Sequence, residues 1–535
     1  MTRPSFFSAT WHFPTNAAGS DVDPNQCDAA GTAINPSMSI RQHRSHRKSR
    51  ESAPVVSFWS DTAGVSPAVF LLTCVVFSGG LLFGGSGGSF GDTIVQLLAL
   101  PLIVLAAMHW SQSQLRAGDW AALAIIVGIA VLAFVQLVPL PLSIWVALPG
   151  RADLLREMQS VGVTPAWQSL SLNPYTTERA LLWTLPAIAM FLAVRWMSSR
   201  QRRVLLLLLF FGAIGLLILA FVQRSAPQSD AMATANNALA KATFALRSLQ
   251  KPEALPASHQ FVTGLFSNRN HFATFLAMTI PLVIAMGIEI WLKRSRGQPN
   301  TWVPLAALLV LVVMGLLGGM FETHSRAALV LGGLSLLGSM ALLRHIGLNR
   351  LSIWAIVALT FAGALLAFQM AASQTLARLD QSPDIDLRWQ VHTTTLQAAY
   401  RFGPLGSGLG TFVQAYQTVQ PEKDFGPQFI NRAHSDYHEL WLETGVPGAL
   451  LIVCFLAWFG WSSWRVWRNP KENNFLTLIA RAATLSILMV LLHSYLDYPL
   501  RKTAILVVFG MSCALLAPTN ETTVQRARQR RIAKA

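Results

Sequence analysis

Twelve runs of about 20 mostly apolar residues constrain this chain more than any other feature of its sequence. A helix of about 20 apolar residues is long enough to cross the hydrocarbon core of a bilayer. Only 12% of the 535 residues are charged, about half the share in a soluble globular domain. The sequence therefore predicts an all-α polytopic membrane protein and excludes an ordinary soluble enzyme. The predicted spans are 66–84, 93–110, 119–138, 178–196, 203–222, 271–292, 301–320, 326–344, 352–371, 446–464, 476–496 and 502–518.

Basic residues stand in short runs between these spans, and their placement predicts the orientation. Cytoplasmic loops of membrane proteins are enriched in lysine and arginine. If the chain crosses the membrane twelve times, the basic runs all fall on one side, so both termini are expected in the cytoplasm. The net charge of +16 then reflects orientation, and nucleic acid is not expected as a partner. The runs lie at 41–50, 116, 195–203, 293–296, 344–350, 465–471 and 526–534.

The spans divide the chain into five predicted regions. Residues 1–64 are polar and basic, with no apolar stretch near Met1, so a disordered cytoplasmic arm is expected rather than a cleaved signal peptide. Spans 1 to 9 occupy 65–371, and spans 10 to 12 occupy 446–518. Between them lies a large external loop, 372–445, and a basic cytoplasmic tail follows at 519–535.

The external loop is the predicted catalytic region. Loops of more than about 15 residues in a compact protein are usually functional or disordered. The aromatic residues of this loop are enough to pack a small lid, among them Trp389, Phe402, Phe412, Tyr416, Phe425, Tyr437 and Trp441. Residues 386–400 and 434–444 are predicted to be helical, and the glycine-rich stretch 403–410 is predicted to be a turn or a re-entrant segment.

Two arginines on the external side are candidate anion ligands. Arg388 is predicted in the first turn of the helix over 386–400, and Arg326 at the external start of a span. A guanidinium binds phosphate oxygens through two hydrogen bonds and stays charged, and a helix N-terminus also favours phosphate. The alternatives are a surface ion pair of Arg388 with Asp384 or Asp386, and a membrane-surface role for Arg326.

His434 is the candidate general base. It is predicted on a short helix that leads to the span beginning at 446. Histidine titrates near neutral pH, so it can accept a proton from an attacking hydroxyl. A surface histidine without a catalytic role is the alternative from spacing alone. Two metal sites are weaker alternatives, because neither has a complete ligand set: a zinc pair at His434 and His438, and a metal at Asp384 and Asp386.

Five short motifs, in this order and on this topology, resemble the O-antigen ligase and O-antigen polymerase superfamily of bacterial envelope glycosyltransferases. The resemblance covers roughly residues 170–515. The motifs are Phe266 to Ala273, Ser325-Arg326, Arg388-Trp389 followed by Phe402 to Phe412, His434 to Gly448, and His493-Ser494 with Asp497 to Leu500. The stretch Ser171 to Tyr175 is similar to the exopolysaccharide branch. Many members have His-Asn where this chain has His434-Ser435.

The resemblance implies a metal-independent membrane glycosyltransferase with a GT-C-like fold in the bacterial inner membrane. Such an enzyme moves a glycan from undecaprenyl pyrophosphate to an acceptor hydroxyl, linked to lipid or glycan, on the periplasmic face. The implied residues are Arg326 and Arg388 for the donor pyrophosphate and His434 as the base, with no cofactor. Ligation, polymerisation and protein glycosylation remain open.

Two other classes of function compete with this hypothesis. A transporter or flippase for polysaccharide or lipid-linked glycan would place ionisable residues within its spans and often contain internal repeats. The predicted spans are nearly free of charge, with Glu289 and Arg481 close to cytoplasmic ends, and no repeat is evident. A non-catalytic scaffold would not require the external histidine and arginines.

Overall fold

Apolar helices make up most of the protein. A computed structural model describes residues 64–85, 90–111, 115–225, 262–294, 303–343, 358, 383–422, 429–468 and 474–517. All of them fall within one compact unit, residues 57–535. The long apolar helices are α1 (Pro67–Phe83), α2 (Phe90–Ser111), α3 (Ala117–Leu137), α6 (Pro174–Arg195), α7 (Ser199–Ser225), α8 (Arg269–Arg294), α9 (Val303–Glu322), α10 (Arg326–Leu343), α13 (Asp436–Trp467), α14 (Phe475–His493) and α15 (Thr503–Leu516).

These helices confirm the predicted class, an all-α polytopic membrane protein. Eight of them are long and apolar enough to cross a bilayer, and three shorter apolar helices begin at Pro67, Ala307 and Thr503. Helices suit apolar surroundings because they satisfy every backbone hydrogen bond within the segment. Only residue 358 of the predicted ninth span, 352–371, is described, so twelve spans, the orientation and the domain boundaries stay predictions.

Helices α8 and α14 form the centre of the bundle. They are the most buried of the eight candidate spans, and they pack against each other. Helix α10 lies against both, while α15 packs on α6 and α14. We call the end of the bundle that contains the first residues of α8, α10 and α13 the loop end. The opposite end, with Arg116, Arg195 and Arg465, is the basic end.

Short elements cover the loop end. They are β1 (Pro139–Pro141), α4 (Leu142–Val146), α5 (Arg151–Ser160), β2 (Trp167–Ser169), α11 (Pro383–Phe402), α12 (Phe412–Gln417) and a 3-10 helix (Pro499–Arg501). Strands β1 and β2 pair antiparallel, with Pro139 opposite Ser169. Helix α11 is the helix predicted over 386–400, but it begins at Pro383, so Arg388 lies in its second turn rather than its first.

The loop 372–445, which was predicted to be external, has an apolar core among its described residues. Phe402, Phe412 and Tyr416 are buried in it together with Leu442 from α13, whereas Trp389 is 73% exposed. Part of the predicted aromatic set therefore packs α11 and α12 against α13. Phe425 lies outside the described residues.

A kink at Gly445 divides α13 into a part at the loop end and a longer apolar part. Gly445 adopts φ 56° and ψ −144°, a left-handed φ that side chains disfavour. A Cβ at this position would lie 2.0 Å from the carbonyl oxygen of Pro404, and that oxygen accepts a hydrogen bond from the Val446 amide at 2.8 Å. The helix predicted over 434–444 is thus the loop-end part of α13, docked on the glycine-rich stretch 403–410.

Candidate functional site

A buried carboxylate, Asp497, lies at the centre of the loop end. It follows α14, where its amide donates to the His493 carbonyl at 2.9 Å. Its Oδ2 accepts a hydrogen bond from Asn270 Nδ2 at 2.8 Å, and its Oδ1 accepts one from the Tyr498 amide at 3.0 Å. These donors compensate for burying the charge, which would otherwise be costly.

Two imidazoles face the same carboxylate. The distance to Asp497 Oδ1 is 3.6 Å both from His434 Nδ1 and from His271 Nε2. The Tyr498 ring lies beside both, with ring centroids 4.8 Å from His271 and 5.4 Å from His434. Burial alone would raise the pKa of Asp497, but His271 and His434 hold it well below its usual range. Asp497 is therefore a carboxylate throughout the neutral range.

His434 lies on the turn before α13, not on the helix as the sequence predicted. Its φ is 51°, a left-handed conformation that costs a non-glycine residue about 1–3 kcal/mol. The helix starts after Ser435, whose hydroxyl accepts from the His438 amide at 3.4 Å as an N-cap. Next, the Asp436 amide donates to the Ser494 carbonyl at 2.9 Å, which ties this turn to the Asp497 turn.

The exposure of His434 is one-sided. Its side chain is 32% exposed, although Nδ1 is buried against Asp497. The exposed area therefore belongs to the rest of the ring, where Nε2 is the remaining basic nitrogen. The 3.6 Å between Nδ1 and Asp497 Oδ1 is an ion-pair distance and is longer than a hydrogen bond. It turns Nδ1 towards the carboxylate and leaves Nε2 as the nitrogen that can accept a proton.

Arg326 is connected to this centre through two neighbours. It is the first residue of α10, and it follows a turn in which His324 has φ 49°. The Ser325 hydroxyl donates to Asn270 Oδ1 at 2.7 Å, and the amide of Asn270 donates in turn to Asp497. The chain Ser325–Asn270–Asp497 thus fixes the start of α10 relative to the carboxylate.

Arg388 approaches the same turn from α11. Its Nη1 lies 3.4 Å from the carbonyl oxygen of Leu496, the residue before Asp497. The side chains of Asp384 and Asp386 lie outside the described residues, so the alternative ion pair is untested. Arg326, Arg388 and His434 are consequently gathered around one turn, although their roles stay predictions.

A second group of charges includes Glu439 and Glu443 on the loop-end part of α13, together with Arg432 and Arg501. Arg501 Nη2 is 2.9 Å from Glu443 Oε2 and 3.3 Å from Glu439 Oε1, and Arg432 Nη1 is 2.7 Å from Glu439 Oε1. Burial alone would lower the pKa of Arg501, but the carboxylates of Glu443, Glu439 and Asp436 raise it above its ordinary value. This network anchors α13 to the 3-10 helix.

The sequence reasoning assigned no role to Asn270, His271 or Asp497, although all three lie in motifs that it singled out. The signal was an acid directly after a long apolar helix, a position where burial demands partners. Spacing could not supply those partners, because Asn270 and Asp497 are 227 residues apart.

The structure describes the side chains of one of the two candidate metal pairs, His434 and His438, but not those of Asp384 and Asp386. His438 packs against His392, with ring centroids 4.7 Å apart, whereas His434 faces Asp497. Within the described part of the chain, no group of three or more His, Cys, Asp or Glu residues is arranged to hold a metal ion.

The fold and site define a multi-pass helical membrane protein with a polar centre at one end. Residues 309–453 match the family model described as O-antigen ligase. This match confirms the resemblance and contains Arg326, Arg388 and His434, while Asn270 and Asp497 lie outside it. The chain therefore carries an O-antigen ligase domain, which supports a ligase- or polymerase-type membrane function. No curated protein matches the chain.

Proposed function

We propose that the protein transfers a glycan from undecaprenyl pyrophosphate to an acceptor hydroxyl at the periplasmic loop end, in ligation or polymerisation. The observation that carries the proposal is the Asp497–His434 pair, with 3.6 Å between Oδ1 and Nδ1. Arg388 contacts the residue before Asp497, and Arg326, Arg388 and His434 lie in the segment that matches the O-antigen ligase family model.

The proposed reaction uses the two nitrogens of His434 for different tasks. Nδ1 faces Asp497, so Nε2 takes the proton of the acceptor hydroxyl as its oxygen bonds to the anomeric carbon. The bond from that carbon to the pyrophosphate oxygen breaks at the same time, and undecaprenyl pyrophosphate leaves. The Asp497 carboxylate stabilises the imidazolium that forms.

The negative charge of the leaving group gives the two arginines their proposed role. Negative charge develops on the pyrophosphate as its bond to the sugar breaks, and fixed positive groups stabilise such charge in the transition state. Arg326 and Arg388 are the proposed groups, one from α10 and one from α11.

An apolar groove suits the polyprenyl chain of the donor. A cavity of about 280 Å³ lies between α3, α6, α13 and α15, and its lining includes Asp436 and Arg501 from the loop end. A second cavity of about 180 Å³ shares Ile129 and Phe455 with it and continues to Cys513. Apolar walls of this extent suit the hydrocarbon chain of a lipid.

Reconstitution tests the proposal. The purified protein is incubated with the lipid extract of cells that lack its gene, in which unconsumed donor and both candidate lipid acceptors are present. We expect free undecaprenyl pyrophosphate and a new glycosidic bond, on lipid A core for a ligase or on a longer lipid-linked glycan for a polymerase. In proteoliposomes, movement of lipid-linked glycan across the bilayer without a new bond would contradict the proposal and support the flippase alternative.

A further inference from the structure

We infer that His392 is a positioning residue for transfer, holding the His434 turn so that its imidazole faces Asp497. The inference rests on the proposed function. His392 Nε2 lies 3.3 Å from the main-chain carbonyl oxygen of His434. A carbonyl only accepts hydrogen bonds, so Nε2 carries the proton and donates.

The reason such support is needed lies in the backbone of His434. A left-handed φ is unfavourable for a residue with a side chain, and this one persists only if its surroundings hold it. The amide of Asp436 is already bound to the Ser494 and Asp497 carbonyls, which fixes the following peptide. His392 binds the carbonyl of His434 itself, so the two contacts together determine where the imidazole points.

Helix α11 contributes to both halves of the Asp497–His434 pair. Residues four apart lie on one face of a helix, and Arg388 and His392 are four apart. Arg388 reaches the carbonyl of Leu496, before Asp497, and His392 reaches that of His434. One face of α11 therefore touches the backbone beside the carboxylate and beside the imidazole, and a shift of this helix would change the distance between them.

The protonation of His392 agrees with a donor role. The side chain is half-buried, and burial lowers its pKa below the ordinary histidine value, with the charge of Arg388 acting in the same direction. A neutral imidazole still has one N–H group. His392 therefore donates without adding a further positive charge beside the donor site.

Three variants in one assay test the inference. His392→Leu removes the donor, His392→Gln restores an amide N–H at similar reach, and Thr393→Val is a control at an exposed position on the same helix. Transfer is measured with the extracted lipid-linked glycan, and binding with undecaprenyl pyrophosphate in detergent. Membrane abundance and elution as a single species verify folding.

We expect His392→Leu to lower kcat by about 100-fold, the scale of a displacement of about 1 Å in a catalytic group, with KM and undecaprenyl pyrophosphate binding unchanged. His392→Gln should recover most of kcat, and Thr393→Val should match the unmodified protein. Full kcat in His392→Leu would overturn the inference. An equal loss of kcat in His392→Gln would also overturn it. So would a rise in KM at constant kcat in His392→Leu, because His392 would then be a residue that binds the lipid-linked glycan.

His434→Ala in the same assay separates this inference from the proposed function. Retained transfer in His434→Ala contradicts the proposed base and leaves His392 nothing to position. Loss of transfer in His434→Ala together with full transfer in His392→Leu contradicts the positioning role alone.

Discussion

Two buried acids, Asp119 at the basic end and Asp497 at the loop end of the helical bundle, have different kinds of partner. At the basic end, Arg195 and Asp119 form a two-pronged pair with nitrogen–oxygen distances of 2.7 and 3.1 Å, and both side chains are 1% exposed. At the loop end, Asp497 is equally buried but faces two imidazoles at 3.6 Å, one of which reaches the surface.

This difference distinguishes a structural charge pair from a site prepared for chemistry. A fully buried ion pair with matched hydrogen bonds offsets part of its desolvation cost. It leaves no exposed charged group for a ligand. A buried carboxylate that faces two histidines, one of them partly exposed, leaves an imidazole nitrogen able to accept a proton. Clusters of titratable groups in such surroundings are typical of functional sites.

The largest effect is expected from Asp497→Asn. The amide keeps the shape but cannot stabilise an imidazolium, and the corresponding change in a serine protease triad costs about 10,000-fold in kcat. We expect a loss of about 1,000-fold or more, measured as undecaprenyl pyrophosphate release by purified protein. Asp153→Asn is the matched control, since Asp153 pairs with Arg401 at the surface of the loop end. Equal losses in both variants would remove the distinction between the two acids.

Arg388→Lys is expected to lose about 100- to 1,000-fold in kcat, the usual cost of removing one transition-state hydrogen-bond donor. Lysine keeps the charge but not the planar fork that binds two phosphate oxygens. Arg401→Lys, on the same helix but bound to Asp153 and to the Thr418 carbonyl, should retain transfer. Full activity in Arg388→Lys and in Arg388→Ala would make Arg388 a surface residue.

Asp119→Asn should affect stability and not chemistry. It leaves the Arg195 guanidinium buried without its carboxylate, and breaking a buried pair in this way costs about 3–5 kcal/mol of unfolding free energy. Thermal unfolding in detergent and membrane abundance measure this cost. Kcat per folded molecule should stay within about threefold. A kcat loss as large as that of Asp497→Asn would mean that the basic end also takes part in transfer.

Part of the fold and of the candidate site could be predicted from the sequence, and part could not. Apolar runs and basic loops predicted the helices and gathered Arg326, Arg388 and His434 at one end, because hydropathy and charge are local properties. The Ser325–Asn270–Asp497 chain joins three distant segments, so no local pattern could reveal it. The left-handed turn at His434 and the kink at Gly445 also depend on distant partners, among them Ser494 and Pro404.

Asp497 is expected to support stability across the whole pH range in which transfer is assayed. Burial alone would raise its pKa, but His271 and His434 hold it well below its usual range. Its contribution to stability is therefore present above the ordinary aspartate pKa of about 3.9 and is lost only at lower pH. The unfolding temperature, followed from about pH 8 to pH 5, checks this. A fall in unfolding temperature over this range that Asp497→Asn abolishes would contradict it.

A single-turnover experiment with His434→Ala tests whether His434 is the general base. Donor extracted from cells lacking the gene is bound to excess purified protein, acceptor is added, and undecaprenyl pyrophosphate is followed over time. We expect His434→Ala to bind the donor as the unmodified protein does but to release product at least about 100-fold more slowly, and EDTA to change neither protein. Product release at the unmodified rate would contradict His434 as the base. Loss of transfer with EDTA, restored by zinc, would contradict it in favour of a metal at His434 and His438.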